Sequence, residues 1–130
     1  MSEPINPSEG LSTVTPYFTV PDADGFITFL NALFGAELIK ETRYGDGTVQ
    51  HARLRIGTSV LMLNQATADY PANISQMHIQ VSDAATAHAK ALELGATSLM
   101  SPNLRPHGEH MAGITDPFGN IWWLASPAKS

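Results

Sequence analysis

The stretch SQMHIQVSDAATAHAKALELGA, residues 75–96, changes its hydrophobic period halfway along. Met77, Ile79 and Val81 alternate with Gln76, His78 and Gln80, the period of two that marks a strand with two different faces. Asp83 then stands where a side chain can cap a helix, and an alanine-rich run follows until Gly95 ends it. The stretch therefore reads as strand, capped helix, stop.

The same plan occurs earlier in the chain. Residues 20–39, VPDADGFITFLNALFGAELI, align with residues 81–100, VSDAATAHAKALELGATSLM, so that Val, Asp, Ala and the closing Gly-Ala pair agree within one residue. In the earlier copy Asp22 caps a segment in which Phe26, Ile27, Leu30, Leu33 and Phe34 recur at helical spacing. TVTPYFTV, residues 13–20, precedes it, with Val14, Pro16, Phe18 and Val20 on one face and Thr15, Tyr17 and Thr19 on the other. Pro16 cannot donate to a sheet ladder and points to an edge or a bulge.

After Gly35 come AELIKETRY, a GDG turn, TVQHARLRI, an IGTS turn and VLML, three strands of an antiparallel meander. After Gly95 come TSLM, HMAGITD, the turn DPFGN and IWWLA. The fold class is therefore α+β, two βαβββ modules over residues 13–64 and 74–126, joined by the polar linker NQATADYPAN. One domain over residues 13–126 is expected, after a polar N-terminal arm of residues 1–12 without a basic start or an apolar run.

Composition narrows the function classes. Of 130 residues only seven are Lys or Arg, the net charge is −5, and the cations are scattered, so neither nucleic acid nor an anionic membrane is an expected partner. There is no cysteine, which removes disulfides, thiolate metal sites and a thiol nucleophile, and suits a cytoplasmic setting. No apolar run reaches the roughly 18 residues of a membrane helix.

The segments VTPYFTV, FGAELI, HARLRIGTSVLML, HIQVSDAATAHAKALELGA and GITDPFGNIWWLA, taken in that order, resemble the vicinal-oxygen-chelate superfamily, also called the glyoxalase/bleomycin-resistance/dioxygenase superfamily, and within it the PhnB-like branch. The resemblance implies curled mixed sheets around a cleft, usually in a homodimer. It spans metal-dependent isomerases, ring-cleaving dioxygenases, thiol transferases and metal-free drug-binding proteins, so function has to come from the site.

Metal-using members of this family take ligands from the first and last strands of each module. Counting from the helix-preceding valines gives Thr15 and Gln76, and counting from the last-hairpin glycines, Gly57 and Gly119, gives Leu61 and Trp123, with slippage to Leu63 in the first module. None of these is a strong ligand for zinc, nickel or iron, so no metal is expected there. The alternative is a divalent ion such as zinc or iron held by relocated groups, His51, His78, His110 and Glu109. His88 sits on the second helix away from the stripe Ala85, Ala89, Leu92 and Ala96 and is expected at the surface, while His107 lies in the loop RPHGEHMAG.

Strand alternation predicts an inner face of Thr15, Tyr17 and Thr19; His51, Arg53 and Arg55; Leu61 and Leu63; Gln76, His78 and Gln80; and Ile121, Trp123 and Ala125. Of these, Thr15, Tyr17, His51, Arg53, Leu61, Gln76, His78 and Trp123 are the candidate ligand-binding residues. Trp123 and Tyr17 would stack, and Arg53 would pair with an acid or with Glu37 or Glu41. Trp122, on the opposite face from Trp123, belongs to the core. No catalytic set accompanies His78. The sequence therefore points to a metal-free protein binding an aromatic or drug-like organic molecule, with a metal-dependent lyase, isomerase or dioxygenase as the alternative.

Overall fold

A computed structural model describes residues 11–128. The chain divides between Asn73 and Ile74 into two compact units, and each carries the predicted βαβββ order.

The first unit runs β1 (Tyr17–Val20), α1 (Ala23–Phe34), β2 (Glu37–Arg43), β3 (Val49–Ile56) and β4 (Ser59–Gln65). Its sheet order is β1-β4-β3-β2, with β1 and β4 parallel and the rest antiparallel. Asp22 caps α1 by accepting from Gly25 N at 3.0 Å. Gly35 closes the helix at φ 69°, a left-handed conformation that glycine adopts without a β-carbon penalty. Phe26, Phe29 and Leu30 of α1 are buried with Phe18, Val20, Ala52, Leu54 and Leu63 of the sheet, and the rings of Phe18 and Phe26 lie 5.1 Å apart.

The second unit repeats this with β5 (Gln76–Gln80), α2 (Ala84–Glu93), β6 (Thr97–Leu104), β7 (Glu109–Thr115) and β8 (Ile121–Pro127), in the order β5-β8-β7-β6. Asp83 accepts from Thr86 N at 3.1 Å, the capping bond that the opening stretch anticipated. Trp122 is 2% exposed, as expected of a core residue, and its Nε1 donates to Asp116 Oδ2 at 2.9 Å. Asp116 also accepts from Phe118 N and Asn120 N, so the DPFGN turn is built around one buried carboxylate.

Three expectations are corrected. His88 is not a surface residue: it is 7% exposed, and its Nε2 lies 2.8 Å from Ser98 Oγ. The buried stripe of α2 is Ala84, His88 and Ala91, one position off the expected one, because alanines on every side of the helix give the period little contrast. β6 extends to Leu104, well beyond TSLM, and carries Pro102; as the edge strand with register shifts on either side of Met100, it can accommodate a residue lacking an N–H. β1 starts at Tyr17, immediately after Pro16, so Thr15 precedes the sheet. The N-terminal arm falls, for residues 1–10, outside the described residues.

Among the described residues no helix is long and apolar enough to cross a membrane.

Candidate functional site

In each unit α covers one face of the sheet and the other is the face to search. Strand register decides which side chains reach it. In the first unit Tyr17 pairs with Met62 and Thr19 with Asn64 across β1 and β4, Arg53 pairs with Met62 across β3 and β4, and Lys40 and Thr42 of β2 pair with Arg53 and His51. These residues surround a groove of about 700 Å³ lined by Tyr17, Thr19, Lys40, Thr42, Tyr44, Gln50, His51, Arg53, Asn64 and Tyr70.

Leu61 does not reach it. Leu61 is opposite Leu54, is 7% exposed and belongs to the helix-covered core together with Leu63. Met62 takes the open-face position instead. The β3–β4 turn leaves only Gly57 and Thr58 between the paired residues Ile56 and Ser59, whereas five residues separate Thr115 from Ile121 in the β7–β8 turn. Counting a fixed number from the glycine therefore lands on opposite faces in the two modules. Thr15, ahead of β1, turns its hydroxyl to Ser12 O at 3.5 Å.

The centre of the groove is a Tyr17–His51–Arg53 cluster. Arg53 Nε donates to His51 Nε2 at 3.3 Å, which requires a lone pair on Nε2 and so leaves the imidazole proton on Nδ1, 3.5 Å from the Tyr17 hydroxyl. The two rings are 5.9 Å apart. Burial, followed by the charge of Lys40, holds the His51 pKa below its ordinary value, and burial, followed by Tyr44, raises that of Tyr17. His51 and Tyr17 are thus both uncharged at neutral pH, and the positive charge of the groove belongs to Lys40 and Arg53. At the rim Thr19 Oγ1 donates to Asn64 Oδ1 at 2.7 Å. Glu41, weighed as a partner for Arg53, accepts from Arg43 at 3.0 Å, and Arg43 also bonds Asp24 of α1.

On the second unit's sheet Gln76, His78 and Trp123 share the open face, as expected, with Gln76 opposite Ile121 and His78 opposite Trp123. Trp123 Nε1 donates to Gln76 Oε1 at 2.6 Å. Further along, Glu109 accepts from Gln80 at 3.3 Å and lies 2.9 Å from His107 Nε2. The Gln80 bond first, and His107 second, hold the Glu109 carboxyl below its ordinary pKa. His110, expected in a loop, is in β7 opposite Ser126.

The positions at which the family resemblance implies metal ligands hold Thr15, Met62 by register, Gln76 and Trp123. Gln76 and Trp123 are bonded to each other, and an indole has no donor lone pair to offer. Among the described residues no three His, Asp or Glu side chains come together, His51, His78, His110 and Glu109 included. This donor chemistry does not fit a divalent ion.

Lys40, Thr42, Tyr44 and Asn64 escaped the sequence reading of the groove. The alternation Lys40-Thr42-Tyr44 on one face of β2 is the signal that could have found them.

Comparison with known proteins gives one family and many folds alike. Residues 11–124 match the model of the Glyoxalase/Bleomycin resistance protein/Dioxygenase superfamily. An uncharacterized protein of Mycobacterium tuberculosis is 28% identical over 127 residues, covering 89% of this chain and 75% of that protein. TioX from Micromonospora sp. ML1 superposes with a TM-score of 0.72 at 22% identity, covering 92% of this chain and 98% of its own. The fosfomycin resistance protein FosX from Mesorhizobium loti does so at 0.63 and 16%, covering 90% and 92%.

Proposed function

Given that the chain belongs to the Glyoxalase/Bleomycin resistance protein/Dioxygenase superfamily, we propose that it is a metal-free small-molecule binding protein whose first-module groove takes an organic anion with a planar apolar body. The observation that carries this is the pairing of Lys40 with Arg53 directly across β2 and β3, in a groove whose neighbouring His51 and Tyr17 are uncharged. Like charges facing one another across a sheet repel, and a carboxylate lying over both relieves that repulsion. Tyr17 and His51 offer ring faces and edges to an aromatic body, and Thr19, Thr42 and Asn64 offer hydrogen bonds at the rim. Arg53, whose Nε points at His51, is oriented by that contact.

The likeness to a fosfomycin resistance protein is compatible with a small-molecule ligand and says nothing of which one. A cytoplasmic homodimer that binds its ligand without a cofactor is part of the same proposal.

The class is tested by charge. Calorimetric titration of 2-naphthoate and of 2-naphthylmethylamine, which carry the same ring and opposite charges, gives binding of the acid and none of the amine. Equal binding of both, or a preference for the amine, removes the proposal. Dialysis against a chelator leaves the acid's affinity unchanged, whereas loss of binding restored by zinc or iron favours the metal-dependent alternative.

A further inference from the structure

The indole of Trp123 is fastened at both ends. Trp123 is on β8, which has β5 on one side and β7 on the other. Towards β5, Nε1 donates to Gln76 Oε1 at 2.6 Å. Towards β7, the six-membered ring covers Gly113, its register partner, so closely that a β-carbon there would stand 2.7 Å from Cζ3 and 2.9 Å from Cε3. Such separations are shorter than any carbon–carbon contact allows, and backbone at Gly113 cannot yield without breaking the β6–β7 and β7–β8 ladders. A rigid ring held over the strands on either side of its own lies along the sheet, one π-face on the backbone and the other turned away.

Glycine weakens a strand, having no side chain to pack and more backbone freedom to lose, and its positive-φ ability is not in use at Gly113. What the position requires is room. A tryptophan on a sheet without this arrangement stands off the surface and rotates among several rotamers.

We infer that Gly113 and Gln76 are positioning residues that fix the plane of Trp123 as a stacking surface, and so make the protein discriminate planar from puckered ligands. This rests on the reading of Trp123 as a ligand-contacting residue of a small-molecule binding protein. It adds that the discrimination comes from two residues that touch the indole and need not touch the ligand. It also gives Gln76 a use at a position where its relatives with metals would place a ligand: its carbonyl is committed to the indole N–H.

The test compares 2-naphthoate with cyclohexanecarboxylate, which has the charge without the planarity. In the wild-type protein the ¹H–¹⁵N signal of the Trp123 indole, assigned by its loss in Trp123→Phe, moves when 2-naphthoate is added, and the Trp122 indole signal stays. Gly113→Ala lifts the ring and Gln76→Leu frees its edge, and each weakens 2-naphthoate about two- to tenfold, the scale of one aromatic stacking contact, while leaving cyclohexanecarboxylate unchanged. Gln76→Glu keeps an acceptor and restores the preference. Because Gly113→Ala can disturb the ladder, Gln76→Leu carries the same comparison independently. An unmoved Trp123 signal together with an unaltered ratio of the two acids in both variants overturns the inference, while the organic-anion reading survives if both acids still bind. Absence of binding by either acid to wild type removes both.

Discussion

His51 is uncharged because burial and Lys40 oppose its protonation, and that has a consequence for stability. An unfolded histidine titrates near 6.5, and the folded one below it, so between those values the unfolded chain holds more protons. Stability attributable to His51 therefore falls as pH drops through about 6.5 and the loss is complete below the folded pKa. His51→Gln removes this slope: urea titrations at pH 7.5 and pH 5 give a smaller difference for the variant than for wild type. The same side chain orients Arg53, so His51→Gln, which can still accept through its amide oxygen, weakens 2-naphthoate less than His51→Leu does. Reading residues from the sequence went well where alternation alone was needed, at Tyr17, His51, Arg53, Gln76, His78 and Trp123, all of which reach an open sheet face. It failed at Leu61, where the face depended on whether the turn before the strand held two residues or five, a property of turn geometry that a glycine by itself does not specify.

Among the elements, α2 and the DPFGN turn depend on buried polar groups. His88 lies under α2 against Ser98 of β6, at 2.8 Å and 7% exposed. Ser98→Ala leaves a buried imidazole nitrogen without its partner and costs about 1–3 kcal/mol by urea unfolding, whereas His88→Ala adds a cavity and costs more. Asp116, 3% exposed, accepts two backbone N–H groups and the Trp122 indole, so Asp116→Ala removes three bonds to one charged acceptor and costs about 3 kcal/mol or more. Asp22 and Asp83 are exposed caps, and replacing either by Ala costs about 1 kcal/mol. The sequence disclosed these caps because a cap is a local rule, an aspartate three residues before the amide it accepts from. It did not disclose the role of His88, because a buried histidine is recognised only by a hydroxyl ten residues away on another element.

At the scale of the molecule the duplicated βαβββ plan was legible in full, since glycines, caps and period changes fall at matching places in both halves and the sheet orders β1-β4-β3-β2 and β5-β8-β7-β6 repeat each other. The duplication of the fold is not a duplication of chemistry. One sheet gathers two cations beside a neutral His–Tyr pair, and the other fastens an indole to an amide and a glycine. The groove's full membership was hidden from the sequence because it needs β2 placed against β3, a pairing that brings Lys40 and Thr42 beside Arg53 and His51 from 11 or fewer positions of register rather than from any motif. The central claim is that Lys40 and Arg53 together hold the acid group of an organic anion. Its most direct test is calorimetric titration of 2-naphthoate into wild type, Lys40→Met, Arg53→Met and the double variant. The account predicts binding to wild type and a loss of about ten- to hundredfold on removing Arg53, with a further loss in the double variant; equal affinity in all four proteins would contradict it.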